Sequence, residues 1–360
     1  MLRRPAAVLL GLIVLAAGAG GTGCADDDPR GRGQTQRDPI ARQDLRPAVS
    51  PGESLRVIDD YVTGHNKAVA GADGRAWRGL LADPMAALAD ARLRIGRGRP
   101  PERQAITLVN PVLFVPKLDA SFPKWFVVAV MERVGPHGKP HQVLLLFTRS
   151  APDAPWRLAN RTVTSAKLPK IATDGQGYAV AVSAEQPPGG RLAVPLGNLA
   201  TAHAAYLSND ASRTFADGSY TSGWRAERAA GARRAQAGGW LDTVQFGQTR
   251  YSPAALRTKD GGILAWYAVS RVDSFVADRS SRSSRPSRSS RPGGSEAAAP
   301  DPGAISADVR GYLDRPLGGT RTEVRAAWLL LPLTYVPPGG GRPAVLGQTT
   351  GLTSAAAIEH

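Results

Sequence analysis

Twice along this chain an apolar stripe with helical spacing gives way to short segments rich in β-branched and aromatic residues. Leu55, Ile58, Val62, His65 and Val69 recur three and four residues apart, one face of a helix beginning at Glu53. Asp83 followed by Pro84 reads as a second helix start, with Met85, Leu88 and Ile95 on one face. The character then turns to β. Ala105–Val115, Lys124–Arg133, Gln142–Arg149 and Trp156–Val163 read as strands, parted by turn signals such as Gly135-Pro136-His137-Gly138, a hairpin. The second half repeats the order. Leu196, Leu199, His203 and Tyr206 mark a helical stripe, and Ala229–Ala237 a short helix. Strands are expected near Asp242–Phe246, Gly262–Val272, Glu323–Leu333 and Ala344–Thr350. Helices first and strands after predict an α+β fold, here as two tandem domains at 51–185 and 190–355. Each is a set of helices on a curved antiparallel sheet.

The halves can be laid over one another, which predicts an internal duplication. Tyr61 falls on Tyr206, Trp125-Phe126-Val127-Val128 on Trp266-Tyr267-Ala268-Val269, and Leu158–Thr162 on Leu346–Thr350. The last pair is farther apart in sequence, and the low-complexity stretch Val276–Ala304 supplies the extra residues. Within it Arg279, Arg282, Arg285, Arg288 and Arg291 recur every third residue among serines and prolines. Such a stretch cannot build a core and reads as a disordered loop. Its arginines could contact a polyanion, but no aromatic residue interleaves them for base stacking. No specific nucleic-acid binding is expected.

The amino terminus carries an address. Arg3-Arg4 precede the uncharged apolar run Ala6–Gly20, and the small residues Gly21-Thr22-Gly23 lead to Cys24, the one cysteine of the chain. This is a secretory signal pattern over 1–23, too short to span a membrane. The site resembles a bacterial lipobox, with Gly21 where an aliphatic residue is usual, so Cys24 is the expected lipidated residue. Residues 24–50 are polar and poor in large apolar side chains, which predicts a disordered tether. The formal charge of +15 favours anionic surfaces, but only 7 of the 45 basic residues are lysine. An Arg-, Ala-, Gly- and Pro-rich composition reads as a GC-rich genome rather than as a named ligand.

No linear motif announces chemistry. His65 and His203 lie on apolar stripes, and the overlay does not match them to each other, so both read as core histidines. Asp59-Asp60 beside Tyr61 could supply acid and base, but adjacent carboxylates point to different helix faces. His137 and His141 flank a turn without an acidic or cysteine partner, so no metal site is expected. No phosphate loop or Gly-x-Ser-x-Gly elbow is present, and no cofactor is expected. Alternation puts Trp125 and Phe126 on opposite faces of a strand. Trp125 and Trp266 are the candidates for an aromatic pocket floor.

The lipobox-like start, Asp59-Asp60-Tyr61, the Trp-aromatic strand, Pro155-Trp156-Arg157-Leu158 and Pro337-Pro338 followed by Val345-Leu346-Gly347 resemble uncharacterised secreted lipoproteins of actinobacteria. The resemblance covers roughly residues 51–355 and implies a domain of unknown function with no activity to carry over. In fold, the first half resembles the cone-shaped α+β halves of nuclear transport factor 2-like proteins, which include isomerases, dehydratases and non-catalytic binding domains. The expectation is a lipid-anchored protein of the extracytoplasmic membrane face that binds a ligand or partner, an envelope protein or an anionic wall polymer, without catalysis. The alternatives are a hydrolase or isomerase using His65 and Asp59 in one cone, and polyanion binding through the Arg/Ser loop.

Overall fold

The computed structural model describes residues 45–184, 191–209, 213–277, 300–314, 317 and 322–359. The leader, Cys24, most of the tether and Arg279–Arg291 lie outside the described residues.

A two-residue strand β1 (Arg46–Pro47) precedes helix α1 (Pro51–Ala70). Ser50 caps that helix, its Oγ accepting from the Glu53 N–H at 3.2 Å, and Pro51 occupies the first turn. The buried stripe is Ser54, Ile58, Tyr61, His65 and Ala68. It lies beside the one expected from hydrophobicity: Leu55 is 47% exposed and Val62 only half-buried. Aromatic packing decides the rotation, because the Tyr61 ring meets Phe147 edge-on at 5.6 Å. Helix α2 (Gly74–Gly79), capped by Asp73, leads to α3 (Met85–Ile95). Asp83 does not cap α3. Pro84 holds the cap position without a side-chain bond, and Asp83 pairs instead with Arg250 at 3.4 Å.

The strands β2 (Ile106–Phe114), β3 (Lys117–Leu118), β4 (Lys124–Val134), β5 (His141–Arg149) and β6 (Arg157–Val163) follow. β3 pairs with β1, and the other four form an antiparallel sheet in the order β2-β4-β5-β6. Phe126, Val128, Val130, Val143, Leu145 and Phe147 face the helices. The alternate residues Val127, Ala129, Leu144 and Leu146 face a second sheet. With both faces covered, β4 and β5 read as continuous apolar runs rather than as alternating ones.

In the second half come α4 (Leu199–Asn209), α5 (Ser222–Ala237), β7 (Trp240–Gln248), β8 (Ala254–Arg257), β9 (Ile263–Trp266) and β10 (Val269–Ala277). The chain then continues through α6 (Ala307–Leu313), β11 (Thr322–Val336) and β12 (Ala344–Glu359). β9 and β10 pair along one side of β11, and β12 pairs along its other side. The order β7-β10-β11-β12 repeats β2-β4-β5-β6. Leu196, Leu199, His203 and Tyr206 are all buried against this sheet, as their spacing predicts. The short strands β8 and β9 and the end of β11 pack against the back of the first sheet through Leu256, Leu264, Trp266 and Leu333. The result is four layers, helices–sheet–sheet–helices, and the described residues make one compact unit.

The aromatic pairs of the overlay fall on matching faces. Phe126 and Tyr267 both face helices, and Trp125 and Trp266 both lie in the layer between the sheets. The third segment does not match in the same way, since Leu158 faces the first helical layer and Leu346 the middle layer. Among the described residues no helix is long and apolar enough to cross a membrane.

Candidate functional site

The helix-facing side of the first sheet ends in a groove of about 540 Å³. α1 forms one wall, and the end of β5 with the loop before β6 forms the other. Its floor is formed by the rings of Tyr61, Phe147 and Trp156, backed by the buried Phe126. Tyr61 meets Phe147, Phe147 stacks on Phe126 at 5.3 Å, and Phe126 meets Trp156 edge-on at 5.0 Å. At the rim Glu53 is the hub. Its Oε1 accepts from Arg149 Nη1 at 3.1 Å and from Trp156 Nε1 at 2.9 Å. Arg149 also lies over the Trp156 ring, 4.8 Å from its centroid. The capping-box position of Glu53 would let its side chain turn back to its own helix, yet it reaches across to two other segments. Arg149 Nε is buried and has no partner. The volume falls within the range of small-molecule sites.

Deeper in the same helix–sheet layer lies a buried ionic cluster. Glu132 on β4 is 1% exposed. Arg161 of β6 clamps it with two bonds, Nη2 to Oε1 and Nε to Oε2, the latter at 3.2 Å. His141 Nε2, directly across the β4–β5 ladder, lies 3.3 Å from Glu132 Oε1. A buried carboxylate needs this company, because desolvation of a lone charge costs several kcal/mol. The Oε2 of Glu102 is buried nearby without a partner. Burial pushes the Tyr61 phenol well above its ordinary range, so it stays protonated.

The sequence candidates are scattered. Asp59 and Asp60 are exposed on α1, Asp60 on the wall of the groove, whereas His65 is 3% exposed and its Nδ1 lies 3.3 Å from Asn66 Oδ1. Asp59 and His65 are not brought together. His203 is fully buried in the second half. His137 is exposed, and His141 serves the Glu132 cluster. Trp125 and Trp266 lie between the sheets and line neither of the grooves described in this chain. Among the described residues no group of three or more His, Cys, Asp or Glu is placed to hold a metal ion. The sequence reading missed Glu53, Arg149, Glu132 and Arg161. The S-x-x-E run at Ser50–Glu53 flags Glu53 only as a cap, and charged residues at strand ends ordinarily face water.

The family model described as a domain of unknown function (DUF8094) matches residues 45–357. An uncharacterized lipoprotein of Streptomyces coelicolor is 27% identical over 317 residues, 87% of either chain. An uncharacterized lipoprotein of Streptomyces avermitilis is 27% identical over 240 residues, 65% of this chain and 70% of the relative. A further Streptomyces coelicolor lipoprotein is 29% identical over 191 residues, about half of each chain. No solved structure matches the chain.

Proposed function

This chain belongs to the DUF8094 family, and from that premise we propose that it is a lipid-anchored extracytoplasmic protein that binds a ligand without transforming it. Two observations support the anchor. Cys24 follows an export-type leader, and relatives are described as lipoproteins. The repeated strand order supports an origin of the two halves by duplication.

The groove beside α1 carries the binding reading. Its main ionic groups, Glu53 and Arg149, already hold each other, and Glu53 also holds the Trp156 ring. A carboxylate with two fixed donors is suited to shaping a wall rather than to taking a proton from a substrate. What the groove offers a visitor is an aromatic floor, the unpartnered Nε of Arg149 and, at its exposed rim, the charges of Arg56, Asp60 and Asp153. A ligand with an apolar or planar body and one acceptor fits that surface, and an envelope component is the expected source.

The test has two arms on protein purified from its own host. The mass of the amino-terminal peptide should show a diacylglyceryl or triacyl adduct on Cys24, and Cys24→Ala should release the protein from the membrane fraction. An unmodified peptide starting elsewhere sinks the anchor. Native mass spectrometry should show a small adduct that is lost in Trp156→Ala. Identical spectra for the two proteins would remove the groove as the binding site.

A further inference from the structure

The second half has its own groove, of about 320 Å³, between α5, the strands β7, β10 and β11, and the turn leading into α6. Two arginine–carboxylate pairs line it. Arg228 of α5 holds Asp242 of β7, Nη1 to Oδ2 at 2.7 Å and Nη2 to Oδ1 at 2.9 Å. Arg271 of β10 holds Asp273, two residues along the same strand face, Nε to Oδ1 at 2.7 Å and Nη2 to Oδ2 at 2.6 Å. The Arg271 guanidinium also lies over two rings, 5.5 Å from Trp224 and 5.3 Å from Trp328. Stacking and pairing together fix its plane. The side chains of Asp242 and Asp273 are only 7% and 4% exposed. Burial holds the Asp242 carboxyl above its ordinary range, against the pull of Arg228.

The hydrogen-bonding inventory of this groove is lopsided. Both carboxylates spend their two oxygens on guanidinium groups. Arg271 uses two of roughly five N–H groups on Asp273 and keeps about three. Trp328 Nε1 is buried with no acceptor. Arg234, exposed on the rim, takes part in none of the ion pairs among the described residues. Free donors outnumber free acceptors, and Glu227 on the rim is the opposing charge. A planar guanidinium with spare N–H groups matches the paired oxygens of a carboxylate or phosphate.

We propose that this second groove binds an oxyanion, the carboxylate or phosphate group of a small ligand, through Arg271, Arg234 and the Trp328 N–H. The inference is independent of the first groove and of the anchor. Its test is titration of the purified full-length chain with inorganic pyrophosphate and with succinate, followed by tryptophan fluorescence. One of the two should bind saturably, and its identity tells phosphate from carboxylate. Arg234→Ala and Trp328→Phe should each weaken binding about fivefold or more, and Glu227→Gln should tighten it roughly twofold. Arg103→Ala, exposed and outside the groove, should change nothing. Arg234 is exposed, so its variant keeps the test decisive even where Trp328→Phe fails to fold. No saturable binding of either probe up to about 10 mM, or affinity unchanged in Arg234→Ala, overturns the proposal.

Discussion

The Tyr267 hydroxyl lies 2.9 Å from His203 Nδ1, and the same oxygen lies 3.0 Å from Thr334 Oγ1. Three polar side chains from α4, the β9–β10 bend and β11 thus form a chain inside the second core. The His203 ring also stacks on Phe215, with centroids 4.7 Å apart. Burial drives the imidazole down to a pKa of about 4. A histidine held neutral and sealed among rings is a packing element with a directional bond.

That environment predicts a defined pH dependence. The unfolded chain protonates this histidine near its ordinary value of about 6.5, while the folded protein resists until about pH 4. The stabilising contribution is therefore complete above about pH 6.5 and falls as pH drops toward 4. The loss is on the order of 3 kcal/mol. Urea midpoints at several pH values in that window should slope less in His203→Gln than in the wild type. Equal slopes would mean that the ring titrates freely.

Removing one partner of the Glu132–Arg161 pair should be costly. Glu132→Gln leaves the Arg161 charge in the helix–sheet layer with a neutral neighbour, at about 3–5 kcal/mol. The double variant Glu132→Leu with Arg161→Met should recover most of that loss, because no charge is then stranded. Chemical denaturation of Glu132→Leu, of Arg161→Met and of the double variant measures the coupling. Simple additivity would show that the pair does not act as a unit.

The seam between the halves offers a steric test. A Cβ on Gly347 of β12 would sit 2.6 Å from the Val163 carbonyl oxygen and 2.6 Å from Thr162 Cγ2 of β6. Thr349 Oγ1 bonds the Arg161 carbonyl and Thr164 Oγ1 the Leu346 carbonyl, so β12 has little room to withdraw. Gly347→Val should destabilise by about 1–3 kcal/mol. Gly79→Ala, with nothing within 4 Å of the new Cβ, should stay within roughly 0.5 kcal/mol of wild type. Similar melting curves for both variants would contradict the close approach of β12 to β6.

In the first groove, Trp156→Phe keeps a ring on Phe126 but deletes the N–H that Glu53 accepts. A cost near 1 kcal/mol is expected for that single partly exposed bond. Glu53→Gln should cost no more, because Arg149 and Glu53 are both partly exposed and their pairing is screened by water. Thermal denaturation of the two variants checks both statements, and a loss of several kcal/mol in either would make the rim a stability element.

By itself the sequence determined most of the order of elements, though not α2, β8, α6 or the break between β9 and β10, the placement of most strands and the opposite orientation of Trp125 and Phe126. Those features follow from local spacing, since a period of two or of three to four residues is written in neighbouring side chains. The leader pattern and Cys24 are likewise linear signals, and the structure of that region is not among the described residues. Only the tertiary structure decided what each face meets. Hydrophobicity chose Leu55 and Val62 for the α1 face, while packing on Phe147 turned Tyr61 and His65 inward. Glu53 finds its partners 96 and 103 residues away, and Arg161 finds Glu132 two strands across. Trp125 and Trp266 became inter-sheet core because two sheets packed back to back. Partners so distant in sequence meet only when the whole chain closes, and no local pattern records which polar group will be waiting there.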